Sequence, residues 1–311
     1  MVAYRTRIGI DENGLGSRLG PLIVTSVDAR VTEDTSRRLD HGHYAETGAL
    51  LNDSKRLVSH HDTRIGEAWA RALVGAHADS PEKLIEALTL YPLTDLQAPC
   101  PKHVKAQCWS VQGEAFSASR ELVDAVHAQL KKLAEQGVAV DSVRSAIHCT
   151  KVLNQQLSTG NHRFLVDLHA MERLILDHHA REKQRILAVC GKVGGIADYA
   201  KFFGPLGGRL HVELDRQKSQ SVYEFPGLGE VRFVQDADAH DPLVMIASLV
   251  GKYVRELLMA RITRHYSTDG SAANRPSGYH DSVTNKFVEG TVTLRAKRRI
   301  PFDCFERRRA E

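Results

Sequence analysis

Residues 7–22 read RIGIDENGLGSRLGPL, and the rest of the chain is read outward from this stretch. The alternation through Arg5–Ile10 predicts a strand. It ends in two adjacent carboxylates, Asp11 and Glu12, followed at once by a loop carrying Gly14, Gly16 and Gly20. Such glycine spacing lets a backbone approach a phosphate, whereas paired carboxylates repel each other and are costly to bury without a compensating cation or donors. A divalent metal reconciles the two, because Mg²⁺ is typically held by one or two carboxylates plus water and substrate phosphates. The competing reading is a surface turn whose Asp-Glu pair is merely solvated. GPLIVTSVDARVT then supplies a second strand, with Pro21 at its start where no ladder N–H is lost. The two strands form a hairpin joined by the glycine loop.

Further along, HHDTRIGEAWARALVGAHA has helical apolar spacing, and Ser80-Pro81 opens a second helix as N-cap and first helical residue. Residues 91–105 contain three prolines and read as a connection. GEAFSASRELVDAVHAQLKKLAEQG is a long amphipathic helix stopped by Gly137. DSVRSAIHCTKVL is strand-like and FLVDLHAMERLILDHHAREK is helical. RILAVCG is a short apolar run of the kind found in a buried central strand. RLHVELDRQ and EVRFVQDADA add two alternating strands, and DPLVMIASLVGKYVRELLMARITRHY is a long helix, apolar first and basic later. The mixture of strands and helices predicts an α/β fold with a mixed sheet. The expected organisation is a core from residues 1–80 and 141–265, a candidate helical insertion at 81–140, and a C-terminal segment at 266–311.

Composition narrows the class. With 42% hydrophobic and 26% charged residues the chain is a globular protein, not a disordered one. No apolar run approaches the ~20 residues of a membrane span, and MVAYRTRIGID has no signal-peptide core, so a cytoplasmic protein without a membrane partner is expected. The five cysteines have no CxxC pair, which fits reduced thiols and argues against a structural zinc site. A net charge of +4 permits a polyanionic partner without demanding one. Basic residues gather at the end, in RAKRRIPFDCFERRRAE, as Arg295, Lys297, Arg298, Arg299, Arg307, Arg308 and Arg309. That tail is either a solvated terminus or an arm that contacts phosphates.

Two other places carry chemistry. In VQDADAHDPL, Asp236, Asp238 and Asp241 sit where a strand hands over to the long helix, and Asp241 before Pro242 also fits ordinary N-capping. In LLNDSKRLV, Asp53, Ser54 and Lys55 form a short polar turn that either caps a helix or brings a lysine to the acidic centre.

These blocks together resemble the type 2 ribonuclease H family, the bacterial HII and HIII enzymes and the eukaryotic catalytic subunit. GIDENGLGSRLGPL is similar to the family's opening strand, acidic pair, glycine loop and Gly-Pro. NDSKRL, ADAHDPLVMIASLVGKYVREL and RPSGYHDSVTNKFV resemble its later blocks in the same order. The resemblance spans residues 7 to 288 and is weak in the middle third. It implies a ribonuclease H-like mixed sheet with flanking helices and a helical C-terminal part. It also implies a monomeric endonuclease that uses two Mg²⁺ or Mn²⁺ ions and cleaves the RNA strand of RNA–DNA hybrids, or 5′ of a ribonucleotide in duplex DNA. By position, Asp11, Glu12 and Asp238 would be catalytic metal ligands. Gly14, Leu15 and Gly16 would lie against the nucleic-acid backbone, Tyr279 beside a sugar, and Ser54 and Lys55 would face the substrate.

The pattern breaks at one acid. The family's carboxylate at the end of the central strand falls on Cys190 or on Gly191, and neither is one. Cysteine is a poor Mg²⁺ ligand; Asp198, Asp215 or Asp236 are candidates to substitute. Leu15 stands where relatives often carry Arg or Lys, and Arg18 is a candidate to restore that charge. The missing acid gives an alternative function, a non-catalytic ribonuclease H-like protein that binds hybrid or duplex nucleic acid. An actin-like sugar kinase is disfavoured by Glu12, where a glycine would follow the Asp. A dinucleotide site is disfavoured by GLGSRLG, which spaces its last glycine one residue too far.

Overall fold

The computed structural model describes residues 4–41, 48–75, 78–267 and 275–308. Within them, β1 (Tyr4–Asn13), β2 (Leu22–Thr32), β3 (Val138–His148), β4 (Ile186–Gly191), β5 (Val212–Arg216), β6 (Gln220–Phe225) and β7 (Gly229–Val234) form one sheet. The strand order is β3-β2-β1-β4-β7-β6-β5. β1 runs antiparallel to β2 and parallel to β4, and β4 is parallel to β7. This is the mixed sheet flanked by helices that the sequence implies, and β4 is buried and central, as its apolar run predicts.

The helices are α1 (Glu33–Asp40), α2 (Ser54–Leu57), α3 (Arg64–Val74), α4 (Pro81–Leu88), α5 (Leu93–Gln97), α6 (Lys105–Trp109) and α7 (Arg120–Glu135). They continue with α8 (Thr150–Ser158), α9 (Arg163–Glu182), α10 (Pro242–Tyr266), α11 (Ser282–Gly290), α12 (Val292–Lys297) and α13 (Phe302–Phe305). Three boundaries differ from the sequence reading. Residues 91–105 hold the short α5, and α7 starts only at Arg120, where the Ser119 side chain caps it. The strand-like run ends at His148, after which α8 begins, and β6 was not foreseen.

The sheet separates two cores. On one face α3, α4, α7 and α10 pack on β2 and β3 through residues such as Trp69, Leu84, Leu133, Val27 and Leu249. Helices of the 81–140 segment thus share a core with the sheet. On the other face α9 packs through Met171, Leu174 and Ile175 onto Ile8, Ile10 and Cys190.

α10 holds the site's geometry. Asp241 caps it by accepting from Leu243 N at 2.9 Å and Val244 N at 3.3 Å, so the capping reading of that residue is the one observed. Gly9 lets the helix start lie against β1, since a Cβ there would overlap Leu243 and the Val244 nitrogen. The buried Arg7 guanidinium ties the junction, pairing with Asp241 and Asp40 at 2.8 Å each. Asp40 also pairs with Arg232 of β7 at 2.8 Å.

Candidate active site

The end of β1, the glycine loop, α2, the end of β4 and the 3-10 turn Ala237–Ala239 open on one cleft of about 530 Å³. Asp11, Glu12, Asp236 and Asp238 line it, together with Gly14, Leu15, Gly16, Ser54, Lys55, Gly191, Lys192, Lys252 and Tyr279. The residues to which the resemblance gives a metal or substrate role therefore border one space, as does Gly191, whereas Cys190 does not. Asp11 and Glu12 come from consecutive positions of β1 and so lean to opposite faces of the sheet. Asp11 turns toward α10, where the Ser248 hydroxyl bonds it, and Ser248 and Ser54 share a hydroxyl–hydroxyl bond of 3.0 Å. Ser54 is buried, so its hydroxyl supports Asp11's neighbour more than it faces the cleft.

Neither acid of the pair has a basic partner that holds it ionised. Burial and the Glu12 charge raise the Asp11 carboxyl well above its ordinary range. Burial, with the charges of Asp167 and Asp238, pushes Glu12 up to about 8 against the opposing pulls of a backbone hydrogen bond and of Lys55. Among the described residues no three His, Cys, Asp or Glu side chains stand close enough to close a metal's coordination by themselves. The donor set nevertheless fits a cation of the Mg²⁺ type, which takes one or two carboxylates and fills the rest of its sphere with water and phosphate oxygens. Two hard, electrostatically unrelieved carboxylates at the mouth of a polar cleft are that donor set.

The register of β1 and β4 turns Cys190 and Gly191 to opposite sides of the strand. Ile10 pairs with Cys190, and both are buried in the α9 core. The next position, Gly191, faces the acids, because a Cβ there would come within 2.9 Å of Asp11 Oδ1 and 3.6 Å of Glu12 Oε2. Of the three candidate substitutes, Asp198 is paired with Lys201 at 3.1 Å and Arg216 at 3.4 Å, and Asp215 accepts from Gln220 at 2.5 Å near the sheet edge. Only Asp236 reaches the cleft, at a left-handed φ of 53°.

The glycine loop is built from beneath by arginines. Arg307 is buried, and its Nε donates to the Gly20 carbonyl at 2.9 Å while Nη1 donates to those of Gly14 at 2.5 Å and Leu15 at 3.2 Å. Arg163 Nη1 donates to Ser17 O at 3.3 Å. The carbonyls of residues 14 and 15 thus point inward. N–H and C=O are antiparallel across a trans peptide, so the amides of Leu15 and Gly16 point away from Arg307. Gly14 has φ +90° and fits against Arg255 Nε, 2.5 Å from where a Cβ would stand. Gly16 has no such reason to be glycine: nothing lies within 4 Å of its Cβ position, and it is exposed. Leu15 packs against the α9 core instead of reaching out.

Arg255 also places Tyr279. Its guanidinium lies 4.6 Å from that ring's centroid, and Nη2 donates to Ser277 O at 3.0 Å. Arg18 does not restore the loop's lost charge, because it pairs with Glu306 at 2.7 Å and Asn285 at 2.6 Å. The basic tail is not a free arm over its described part either. Arg307 holds the loop, Arg295 stacks on Phe305, Arg298 donates to His265 O at 2.5 Å and Arg308 pairs with Asp303 at 2.8 Å. Arg309 lies outside the described residues.

Sequence reasoning did not single out three residues of this region. Lys192 and Lys252 line the cleft, although Lys192 Nζ is turned to Gln217 O at 2.9 Å and Lys252 Nζ to Ser54 O at 2.9 Å. The third is Asp167 of α9, fully buried, whose charge acts on both Asp11 and Glu12. The signal for it was present, since Asp167 is the acid in the stripe that continues with Met171, Leu174 and Ile175, at i, i+4, i+7 and i+8.

Among solved structures, the chain is similar to one in the PCNA:RNase HII complex from Archaeoglobus fulgidus, at 15% identity and TM-score 0.45, covering 98% of this chain and 95% of that one. It is also similar to the ribonuclease H2 from Pyrococcus horikoshii OT3, at 16% identity and TM-score 0.39, covering 94% and 89%. A third likeness is to Bst-RNase HIII in complex with Mn²⁺, at 11% identity and TM-score 0.40, covering 94% and 72%. No family model and no curated protein matches the chain. Among the described residues, no helix is long and apolar enough to cross a membrane.

Proposed function

We propose that the chain is a divalent-cation-dependent endonuclease that acts on the RNA strand of RNA–DNA hybrids or at ribonucleotides in duplex DNA. The observation that carries this reading is the meeting, in one cleft, of two carboxyls that lack a basic partner with a glycine loop whose carbonyls are held from behind by Arg307. Asp11 and Glu12, with Asp238 across the cleft, are the residues that would hold Mg²⁺ or Mn²⁺. A bound divalent ion at such a site supplies Lewis-acid polarisation of the phosphate and a more acidic water. The amides of Leu15 and Gly16, turned away from Arg307, bind a phosphate oxygen of the strand, and Gly16, lacking a side chain, lets the sugar-phosphate backbone come close. Tyr279, half-exposed and held by Arg255, offers a face against a sugar or base, and Lys55 adds positive charge at the rim. Hydrolysis then joins a water oxygen to phosphorus, breaks the bond to the 3′ oxygen and leaves a 5′-phosphate, with the water's proton balancing the new 3′-hydroxyl.

A second reading, a non-catalytic protein that binds hybrid or duplex, is favoured by one observation: Gly191 puts no carboxylate where it faces Asp11. The two separate on incubating the protein with an RNA–DNA hybrid and with a DNA duplex holding one ribonucleotide, in Mg²⁺ or Mn²⁺. Cleavage in either supports the enzyme, and saturable binding without cleavage in both metals supports the binder.

A further inference from the structure

β5 is the last strand of the sheet, and among the described residues no strand pairs with its outer side. An uncovered edge offers a row of backbone N–H and C=O groups to any second strand. This one interleaves its charges with exposed apolar side chains: Leu210, Val212 and Leu214, at alternate positions, are 76%, 52% and 56% exposed. Val212 sits opposite Glu224 on β6, and Glu213 opposite the buried Tyr223. The His211 ring packs against Phe203 and Phe225 on the side of Tyr223, which leaves Leu210 and Val212 on the other, open face. A bulge between Glu213 and Asp215 leaves Leu214 without a partner on β6, so regular pairing ends there and any added ladder is short.

The occupant that fits this edge is read from the order of its own residues. Residues 209–215 are RLHVELD. Laid antiparallel on a second copy with Val212 facing Val212, the run sets Arg209 against Asp215, His211 against Glu213 and Leu210 against Leu214. Moving the centre one residue either way sets Glu213 or His211 against its own copy. Glu213 and Asp215 already meet Arg216 and Gln220 of their own hairpin, through Oε2 and Oδ2, and exposed pairs of this kind cost little to share. We propose that this edge is a dimer interface, on which two copies join their β5 strands antiparallel about Val212 into one continuous sheet, in place of the monomer that the resemblance implies. The two-fold pairing is isologous, so it uses up both edges and closes. One strand from each copy makes a small interface, and association belongs in the micromolar range, not the nanomolar.

Sedimentation of the full chain without nucleic acid reads this directly. The wild type is expected to pass from one chain toward two as its concentration rises through the micromolar range. Arg209→Asp and Asp215→Arg are each expected to weaken self-association about tenfold, because each sets like charges together at both ends of the pairing. Mixed in equal amounts, the two variants are expected to associate as tightly as the wild type, since each supplies the charge the other lacks. A wild type that stays a single chain up to millimolar concentration overturns the proposal and leaves the edge to a strand of another protein. Wild-type dimers that both single variants leave intact, or a mixture no tighter than either variant alone, overturn it as well. Should either variant not fold, Val212→Lys decides: two lysines facing each other at the centre are expected to abolish association, and unchanged association overturns the proposal.

Discussion

Replacing Glu12 by Gln should make the metal-free protein more stable while removing its proposed activity. The folded protein pushes the Glu12 carboxyl up to about 8 from an ordinary 4.5, chiefly by burial. The native state therefore keeps a proton that the unfolded chain releases. The associated stability is fully present below about 4.5 and is lost as pH rises toward about 8. At pH 7 the penalty amounts to about 3 kcal/mol, an upper bound because Glu12 is partly exposed to the cleft. Gln carries no charge, so Glu12→Gln should gain up to that amount at pH 7 and little at pH 5. Urea unfolding at pH 5, 6, 7 and 8 in chelator measures both curves. Millimolar Mn²⁺ should stabilise the wild type at pH 7 and leave Glu12→Gln nearly unmoved, because a cation relieves the same unneutralised charge. Equal stabilities of the two proteins across this range would refute the reasoning, since Glu12 would then ionise in the fold without cost.

Arg7→Ala should destabilise the fold by about 3–5 kcal/mol, because it strands the buried Asp241 carboxylate that caps α10; chemical denaturation reads this directly. Gly14→Ala should cost about 1–3 kcal/mol, since it forces a side chain to φ +90° against Arg255. Gly16→Ala, in open space, should leave the melting temperature unchanged yet weaken binding to an RNA–DNA hybrid, as titration of a labelled duplex would register. Lys55→Ala should lower the slope of log affinity against log salt by about 1, the signature of one lost phosphate contact.

How far the sequence could be read depended on whether a feature was local. The strand ending in Asp11-Glu12, the cap at Asp241 and the buried run of β4 follow from period, turn chemistry and apolar length, all within a few residues. β6 escaped notice because QSVYEF is short and lies between two turns. Which of Cys190 and Gly191 turns toward Asp11 depends on the pairing of Ile10 with Cys190, which is tertiary information. The tail arginines looked like free charge because their partners, the carbonyls of Gly14, Gly20 and His265, lie far away in sequence. Asp167 shows in the sequence as an acid in an apolar stripe, but its coupling to Asp11 and Glu12 does not, because they precede it by more than 150 positions.

Metal-dependent cleavage is tested most simply by setting wild-type protein against Asp11→Asn on a DNA duplex containing one ribonucleotide, in Mn²⁺, with cleavage and binding recorded on the same samples. The wild type is expected to cut on the 5′ side of the ribonucleotide, and Asp11→Asn to bind the duplex without cutting it. Equal cleavage by both proteins, or cleavage that survives removal of divalent metal, would contradict that expectation.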